Sequence, residues 1–162
     1  MTRIVLISDT HIPAVGITLP KVVLDEIKKS DLVMHLGDFI SYDFYKDISI
    51  LKPLKAVAGN MDETKLQKLL PTKDIITVEN VKIGLIHGLG FKTSIIGNVS
   101  SAFDEAVDII AFGHTHMPYN KKNNNILFFN PGSPTDKIFT SYNSYGILEI
   151  DDQNIKSYII KI

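Results

Sequence analysis

The sequence predicts an α/β fold in which two β-sheets pack face to face with helices on the outside. In residues 1–70, short apolar runs alternate with stretches of helical spacing, which is the pattern of a parallel sheet. In the second half, apolar runs follow one another across short polar turns, which is typical of hairpins. We therefore expect parallel strands from the first half and a more antiparallel set from the second.

The first half is predicted to contain three strands, each followed by a turn and a helix. Residues 4–7 form a continuous, β-branched apolar run, as expected for a strand buried on both faces. Pro20 and Ser41 are the expected starts of two helices, because proline suits the first helical position and serine caps a helix. The remaining elements are strands at residues 32–34 and 55–58, a helix at residues 63–70, and a loop at residues 12–18.

The second half is predicted to consist mainly of strands. Runs at residues 75–79 and 81–86 indicate one hairpin, and residues 145–150 and 155–162 indicate another that closes the chain. Residues 99–107 have apolar side chains at helical spacing and predict an amphipathic helix before a strand at 109–112. The lysine- and asparagine-rich residues 120–125 are expected to form a solvated turn before a strand at 126–129.

Composition and charge narrow the class of protein. The 162 residues suit one domain, 1–162, and the hydrophobic fraction of 44% is ordinary for a soluble globular protein. The net charge of -1 provides no basic field for nucleic acid. The absence of cysteine excludes disulfides and thiolate ligands, and no apolar run approaches the ~20 residues of a membrane span. We expect a cytoplasmic protein without membrane contact.

Metal-ligating side chains follow nearly every predicted strand. His114 and His116 stand two residues apart after the run at 109–112, so an extended backbone would point both imidazoles to one face. The full set of candidate ligands is Asp9, His11, Asp38, Asn60, His87, His114 and His116. These donors are enough for two divalent ions that share a carboxylate, and they suit Mn²⁺, Ni²⁺, Co²⁺, Fe²⁺ or Zn²⁺ better than Ca²⁺ or Mg²⁺.

Each candidate also has a purely structural interpretation. Asp9 and Asp38 are residue types that cap helices or form turns, and Asn60 is a common left-handed turn residue. His87 could be a core histidine, and we interpret His35, inside an apolar run, as a buried histidine that supports the site rather than as a ligand. Seven such coincidences, all at strand ends, favour the metal site.

The ordered motifs around these residues resemble those of a known family. The motifs are Ser8-Asp9-Thr10-His11, Gly37-Asp38, Gly59-Asn60, His87-Gly88 and Gly113-His114-Thr115-His116. Their order and intervals are similar to the signature of the calcineurin-like metallophosphoesterases. The small size, residues 59–62 and residues 130–135 resemble the compact, single-domain phosphodiesterases of archaea and bacteria.

The resemblance implies a four-layer α/β/β/α sandwich of two mixed sheets with a dinuclear metal site. Asp9, His11 and His116 would hold the first ion, Asn60, His87 and His114 the second, and Asp38 would bridge both. The implied ions are two divalent transition metals, with Mn²⁺ the first candidate. The implied reaction is hydrolysis of a small phosphodiester by in-line attack of a metal-bridging hydroxide, without a covalent enzyme intermediate.

The residue after Asn60 bears on assistance to the leaving group, and Asn60 and the 130–133 loop bear on substrate contacts. Many family members have a histidine after the Gly-Asn pair that is credited with assisting the leaving group, whereas this chain has Met61. We therefore expect general-acid assistance to be absent here. Asn60 and the residues Gly132 and Ser133 of the 130–133 loop are candidate substrate contacts, although the loop could equally order the site or be only a rigid turn.

Two other functions are compatible with such a fold. A retromer subunit with a similar fold works mainly as a protein-interaction scaffold, but no ligand position of the motif is lost in this chain. A nuclease would use the same metal chemistry, but neither a basic groove nor a substrate-capping domain is visible in the sequence. The expected partner is a small phosphodiester, nucleic acid is disfavoured, and homo-oligomerisation is left open.

Overall fold

A computed structural model describes residues 1–13 and 18–162 of the chain. The central part of the loop predicted at residues 12–18 lies outside the described residues. The strands are β1 Thr2–Ile7, β2 Leu32–His35, β3 Leu54–Ala56, β4 Lys73–Val78, β5 Val81–Ile86, β6 Ile109–Phe112, β7 Tyr119–Asn123, β8 Ile126–Asn130, β9 Ser144–Asp151 and β10 Asn154–Lys161. The helices are α1 Lys21–Lys29, α2 Tyr42–Leu51, α3 Thr64–Leu69 and α4 Ile95–Ser100.

The first sheet has the strand order β10-β9-β1-β2-β3. Strands β1, β2 and β3 run parallel, as predicted. In the closing hairpin, β9 pairs antiparallel with β1, and β10 pairs antiparallel with β9 at the edge of the sheet. Residues 4–7 of β1 are fully buried, which confirms a strand covered on both faces. The closing hairpin thus completes the sheet begun by the first half of the chain.

The second sheet has the order β4-β5-β6-β8-β7. Its central strands β5, β6 and β8 are parallel, and β4 and β7 flank them in antiparallel orientation. The second half of the chain is thus more antiparallel than the first, as expected. The parallel pairing of β5, β6 and β8 was not predicted, and it arises because the intervening segments return the chain to the same end of the sheet. Both sheets are mixed, as the resemblance implies.

Three clusters of buried side chains define four layers. The first cluster, which includes Leu6 of β1 and Leu85 of β5, fills the space between the two sheets. The second packs α1, α2 and α3 on the outer face of the first sheet. The third packs α4 on the outer face of the second sheet. This order of layers confirms the predicted α/β/β/α architecture, and the alternation of residues 4–7 between two clusters follows from the period of a strand.

Two local predictions are corrected by the structure. The helix expected at residues 99–107 is instead α4, which begins at Ile95 and ends at Ser100. Val99 and Val107 are both buried, but Val107 packs from the irregular segment that follows, so the apolar spacing arises without a helix. Residues 119–123 form the edge strand β7, with exposed lysines that suit an unpaired sheet edge, so the predicted turn is confined to residues 124–125.

The layout brings the loops that follow β1, β2, β3, β5 and β6 to one edge of the sandwich. Backbone hydrogen bonds connect these loops: Asp9 donates its N–H to Gly37 O at 3.0 Å, and Gly113 donates to His87 O at 3.0 Å. The loop after β1 is thus joined to the loop after β2, and the loop after β5 to the loop after β6. In residues 1–13 and 18–162, the structure contains no helix long and apolar enough to cross a membrane.

Candidate metal centre

The predicted ligands meet where these loops converge. One group of donors, all within 4.8 Å of one another, consists of Asp9, His11 and His116. A second such group consists of Asp9, Asp38 and His87. Asn60 joins the second group through its side-chain oxygen, Oδ1, which lies 3.1 Å from His87 Nε2.

The remaining imidazole, His114, lies beside Asn60. Its Nδ1 is 3.2 Å from Asn60 Oδ1, and its backbone N–H donates to both carboxylate oxygens of Asp9 at 3.0 and 3.2 Å. The structure therefore brings all seven candidates together. His114 and His116 follow the same strand, yet their rings contact different groups of donors.

Both carboxylates lie between the two groups. Asp38 Oδ2 is 3.4 Å from His11 Nε2 and 3.4 Å from His87 Nε2. Asp9 Oδ1 is 3.5 Å from His116 Nε2 and 3.9 Å from His87 Nε2. Asp38 is therefore placed to bridge two ions, and Asp9 reaches both groups at slightly longer distances.

The donor separations fit metal binding better than direct contact. A hydrogen bond between nitrogen and oxygen is about 2.7–3.2 Å long, whereas two ligands that each lie about 2.1 Å from one ion at a tetrahedral angle are about 3.4 Å apart. His11 Nε2, buried and 3.4 Å from Asp38 Oδ2, makes no hydrogen bond. An unpartnered buried nitrogen is costly, so this donor set fits a cation between its members.

The backbone of the site is held in an uncommon conformation. Asp9, His11, Asp38, His114 and His116 all have φ between 46° and 70°. Residues other than glycine rarely adopt the left-handed region, and each such residue costs about 1–3 kcal/mol. Five of the seven candidate ligands share this conformation, so their positions are maintained by the surrounding structure rather than by local preference.

Glycines in the motifs make room for the ligands. A Cβ on Gly59 would lie 2.1 Å from Asp38 Oδ1, and a Cβ on Gly113 would lie 1.9 Å from Ser8 Oγ. Ser8 in turn donates its hydroxyl hydrogen to Asp9 Oδ2 at 2.7 Å. The glycines that precede Asn60 and His114 are therefore required for the carboxylates to take their positions.

Hydrogen bonding fixes which nitrogen of His87 faces the carboxylates. His87 Nδ1 lies 2.6 Å from Leu36 O, and because a carbonyl only accepts, Nδ1 is the donor. In the neutral ring, Nε2 then carries the free lone pair toward Asp38. Burial lowers the pKa of His87, but the carboxylates of Asp38 and Asp9 outweigh this effect and raise it to about 9. In the metal-free protein His87 therefore carries a proton that an ion would displace.

The two carboxylates have opposite pKa shifts. Burial dominates at Asp9 and raises its pKa above the usual value. Burial also acts to raise the pKa of Asp38, but the adjacent imidazoles of His11 and His87 outweigh it and hold the pKa well below its usual range. Asp38 is thus ionised without metal because imidazoles surround it, and a divalent cation could take over that stabilisation.

His35 lies behind the site, as predicted. It is fully buried, its Nε2 contacts Thr10 Oγ1 at 3.0 Å, and its ring stacks on Phe39 with the centroids 3.4 Å apart. Burial lowers its pKa well below the ordinary value, so the ring is neutral. This confirms His35 as a buried, hydrogen-bonded residue that supports the segment between Asp9 and His11.

Asp62 is a buried carboxylate to which we assigned no role from the sequence. It accepts the N–H of Gly59 at 2.7 Å and the N–H of Ile40 at 2.9 Å. These bonds connect the loop that carries Asn60 to the loop that carries Asp38. The only sequence signal for this role is its place two residues after Asn60.

Asp136 is a second carboxylate beside the candidate ligands to which we assigned no role from the sequence. Its Oδ2 lies 3.4 Å from His116 Nδ1, while His116 Nε2 faces Asp9. The same carboxylate accepts backbone N–H groups from Ile138 and Phe139. A carboxylate behind a ligand imidazole orients the ring, so Asp136 is placed to position His116.

The loop at residues 130–133 hydrogen-bonds to the backbone of the segments that carry Asp9 and His114. Ser133 Oγ donates to Asp9 O at 2.7 Å, and Asn130 Nδ2 donates to Gly113 O at 3.0 Å. Gly132 donates its N–H to Asn130 Oδ1, and Ser133 is fully buried. The geometry favours the ordering role over the predicted substrate contact of Gly132 and Ser133, because both polar groups are already bonded inside the protein.

Met61 occupies the position where many relatives of the resembled family have histidine. Its side chain is exposed at 56%, and its backbone N–H donates to Asp38 Oδ1 at 2.8 Å. The backbone of Met61 therefore helps to hold Asp38. The thioether provides no acidic proton, so the Met61 side chain itself cannot act as a general acid.

Known proteins share both the sequence pattern and the fold. A probable metallophosphoesterase of Methanothermobacter thermautotrophicus is 31% identical over 157 residues, which cover 96% of this chain and 90% of that protein. Phosphodiesterase YfcE of Escherichia coli is 30% identical over 102 residues, or 59% of this chain and 52% of that protein. Among solved structures, Vps29 of Entamoeba histolytica complexed with Zn²⁺ has a TM-score of 0.76 at 26% identity, with 98% of each chain covered.

The family model that matches this chain covers almost all of the elements described above. It is the calcineurin-like phosphoesterase superfamily domain, and the match extends over residues 2–153. That range contains both sheets except β10, and all seven candidate ligands. The chain belongs to the calcineurin-like phosphoesterase superfamily.

Proposed function

We propose that the protein is a metal-dependent phosphodiesterase that hydrolyses small phosphodiesters at a dinuclear site. The observation that carries the proposal is the pair of donor groups, Asp9, His11 and His116 beside Asp9, Asp38 and His87, at one edge of the sandwich. Family membership implies a metal-dependent phosphoesterase, and the name of the Escherichia coli relative favours diesters as substrates.

In this proposal Asp9, His11 and His116 would hold one ion, and Asn60, His87 and His114 would hold the other. Asp38 would be shared by both, because its carboxylate lies beside imidazoles of both groups. When bound, two divalent ions supply positive charge for the phosphodiester anion and make water a better nucleophile at neutral pH. Mn²⁺ is the first metal to test.

The protein's own residues position the ligands and offset part of the positive charge that two ions would bring. Asp9 and Asp38 provide two negative charges, and the neutral imidazoles provide donors without adding charge. Ser133, Asp62 and Asp136 fix the backbone or the rings of the ligands. Without an acid at position 61, the leaving oxygen departs with little assistance from the protein.

The direct test is hydrolysis of bis-p-nitrophenyl phosphate before and after removal of metal with EDTA. We expect EDTA to abolish hydrolysis and Mn²⁺ to restore it. A control variant, Asp43→Asn on the exposed outer surface of α2, should behave like the wild type. Folded protein that binds Mn²⁺ yet does not hydrolyse aryl diesters would contradict the proposal.

The alternative is a non-catalytic interaction scaffold of the same fold. The similarity to Vps29, a protein named for vacuolar protein sorting, is the specific observation in its favour. Retention of every candidate ligand in one convergent site favours the enzyme. The same assay separates the two, because a scaffold has no need to turn over a diester.

A further inference from the structure

A cavity of about 320 Å³ opens directly beside the first donor group. Its lining includes the candidate ligands His11 and His116 and an outer wall that consists of residues 135–139. Its volume is at the lower end of the roughly 300–1,000 Å³ of small-molecule sites. Because it shares two candidate ligands with the metal centre, a substituent on a phosphate held there has immediate access to this cavity.

Two large apolar residues of the outer wall are exposed to solvent. Ile138 is exposed at 81% and Phe139 at 63%, although both are large hydrophobic residues. The Phe139 ring lies 5.3 Å from the His116 ring at an interplanar angle of 83°. An exposed aromatic ring that contacts a candidate metal ligand is placed to touch whatever the metal centre binds.

Hydrogen bonds from backbone N–H groups to the side chain of Asp136 hold this wall in place. Asp136 accepts N–H groups from Ile138 at 3.0 Å, Phe139 at 2.8 Å and Thr140 at 2.9 Å. Asn143 Nδ2 also donates to Asp136 O at 2.5 Å. Exposed apolar residues that occur singly need no explanation. Here two exposed apolar residues, Ile138 and Phe139, are fixed beside the candidate metal centre by hydrogen bonds to one carboxylate, although neither side chain is buried in the core.

We propose that this cavity is an aromatic subsite that holds an aryl or nucleobase arm of the diester against Phe139. The inference rests on the proposed function, because it assumes that the phosphate lies among Asp9, Asp38 and the imidazoles. An aromatic arm is favoured over an aliphatic one because it can stack on Phe139 in an offset or edge-to-face arrangement. Such stacking accepts any base or aryl ring.

The test compares inorganic phosphate with phenyl phosphate as ligands of the Mn²⁺-loaded protein by calorimetry. Inorganic phosphate reports on the metal centre alone, and phenyl phosphate adds one ring. We expect the wild type to bind phenyl phosphate about tenfold more tightly than inorganic phosphate, the size of one stacking contact. Phe139→Ala should remove this preference and leave the affinity for inorganic phosphate unchanged.

Two further variants separate stacking from other effects. Phe139→Leu keeps an apolar side chain without a ring and should retain only part of the preference. Phe91→Ala is the matched control, because Phe91 is also exposed, at 84%, but does not line this cavity. Both substitutions are on the surface and should leave the fold intact.

Three outcomes would overturn the subsite. The first is equal affinity of the wild type for phenyl phosphate and inorganic phosphate, and the second is an unchanged preference for phenyl phosphate in Phe139→Ala. The third is an equal loss of affinity for both ligands in that variant. The last outcome would mean that Phe139 supports the metal centre instead of the arm. If the wild type prefers phenyl phosphate but hydrolyses no diester, the subsite stands and the proposed function fails, so the two failures are distinguishable.

Discussion

At the scale of the residue, the two histidines of the Gly113-His114-Thr115-His116 motif contact different partners. His114 Nδ1 lies beside Asn60, whereas His116 Nε2 lies beside Asp9. An extended strand would place both rings on one face. Instead both residues have positive φ, 70° and 58°, and the backbone turns between them. The pair is therefore divided between the two donor groups.

This division predicts different losses from two single substitutions. His114→Ala should weaken the ion held with Asn60 and His87, and His116→Ala should weaken the ion held with Asp9 and His11. Each variant should retain about one ion per chain after dialysis, measured by elemental analysis. Loss of both ions to the same extent in each variant would indicate a single shared clamp.

Asp38 should behave differently, because it contacts both groups. Asp38→Asn keeps the size of the side chain and removes its charge, so both ions should bind more weakly. We expect activity to fall at least about 100-fold, since removing one charge-stabilising group of an active site typically costs about 10²–10³-fold. Circular dichroism checks the fold, and near-wild-type metal content in this variant would contradict the bridging role.

Met61 predicts a strong dependence of rate on the leaving group. Aryl diesters, whose leaving groups need no proton, should react far faster than alkyl diesters. Met61→His places an imidazole at this exposed position and should reduce the dependence by favouring the poorer leaving groups. The measurement is kcat/KM across a series of substituted phenyl diesters. A nearly flat dependence in the wild type would contradict the account.

At the scale of the element, the candidate ligands lie on loops at the carboxyl ends of strands. Neighbouring loops, whose sequences show no regular spacing of apolar residues, hydrogen-bond to these loops. The strand ends are visible in the sequence because apolar runs stop at the ligands. The roles of Asp62 and Asp136 are not visible, because each depends on backbone N–H groups brought close only by the fold. The sequence also misplaced the helix predicted at residues 99–107, because Val107 is buried from an irregular segment and so continues the apolar spacing without a helix.

The brace at Asp136 provides a prediction at this scale. Asp136→Ala removes the acceptor of three backbone N–H groups and the carboxylate behind His116. Metal affinity should fall about 10–100-fold, as is typical when a partner of a ligand histidine is lost. The affinity for Mn²⁺ can be measured by titration. Asp43→Asn, far from the site, should have unchanged affinity.

If Asp136→Ala binds Mn²⁺ as tightly as the wild type, His116 is positioned by its own backbone, and the carboxylate serves only the loop. A lower melting temperature without a change in metal affinity would lead to the same conclusion. The two readouts together therefore distinguish a positioning role from a purely structural one.

At the scale of the whole molecule, the sequence predicted the layers better than the strand directions. Strand and helix patterns depend on local burial, which the spacing of apolar residues reports directly. The parallel pairing of β5, β6 and β8 depends on where the intervening segments cross, and apolar spacing carries little information about that path. The five motifs converge in the structure because each stands at the end of a strand.

The central claim is that one chain holds two ions and needs both for hydrolysis. The most direct measurement is a titration of metal-free protein with Mn²⁺ in which bound ions per chain and hydrolysis of bis-p-nitrophenyl phosphate are followed together. The account predicts two bound ions per chain, with activity appearing as the second site fills. Full activity with one ion per chain, or two bound ions without hydrolysis, would contradict it.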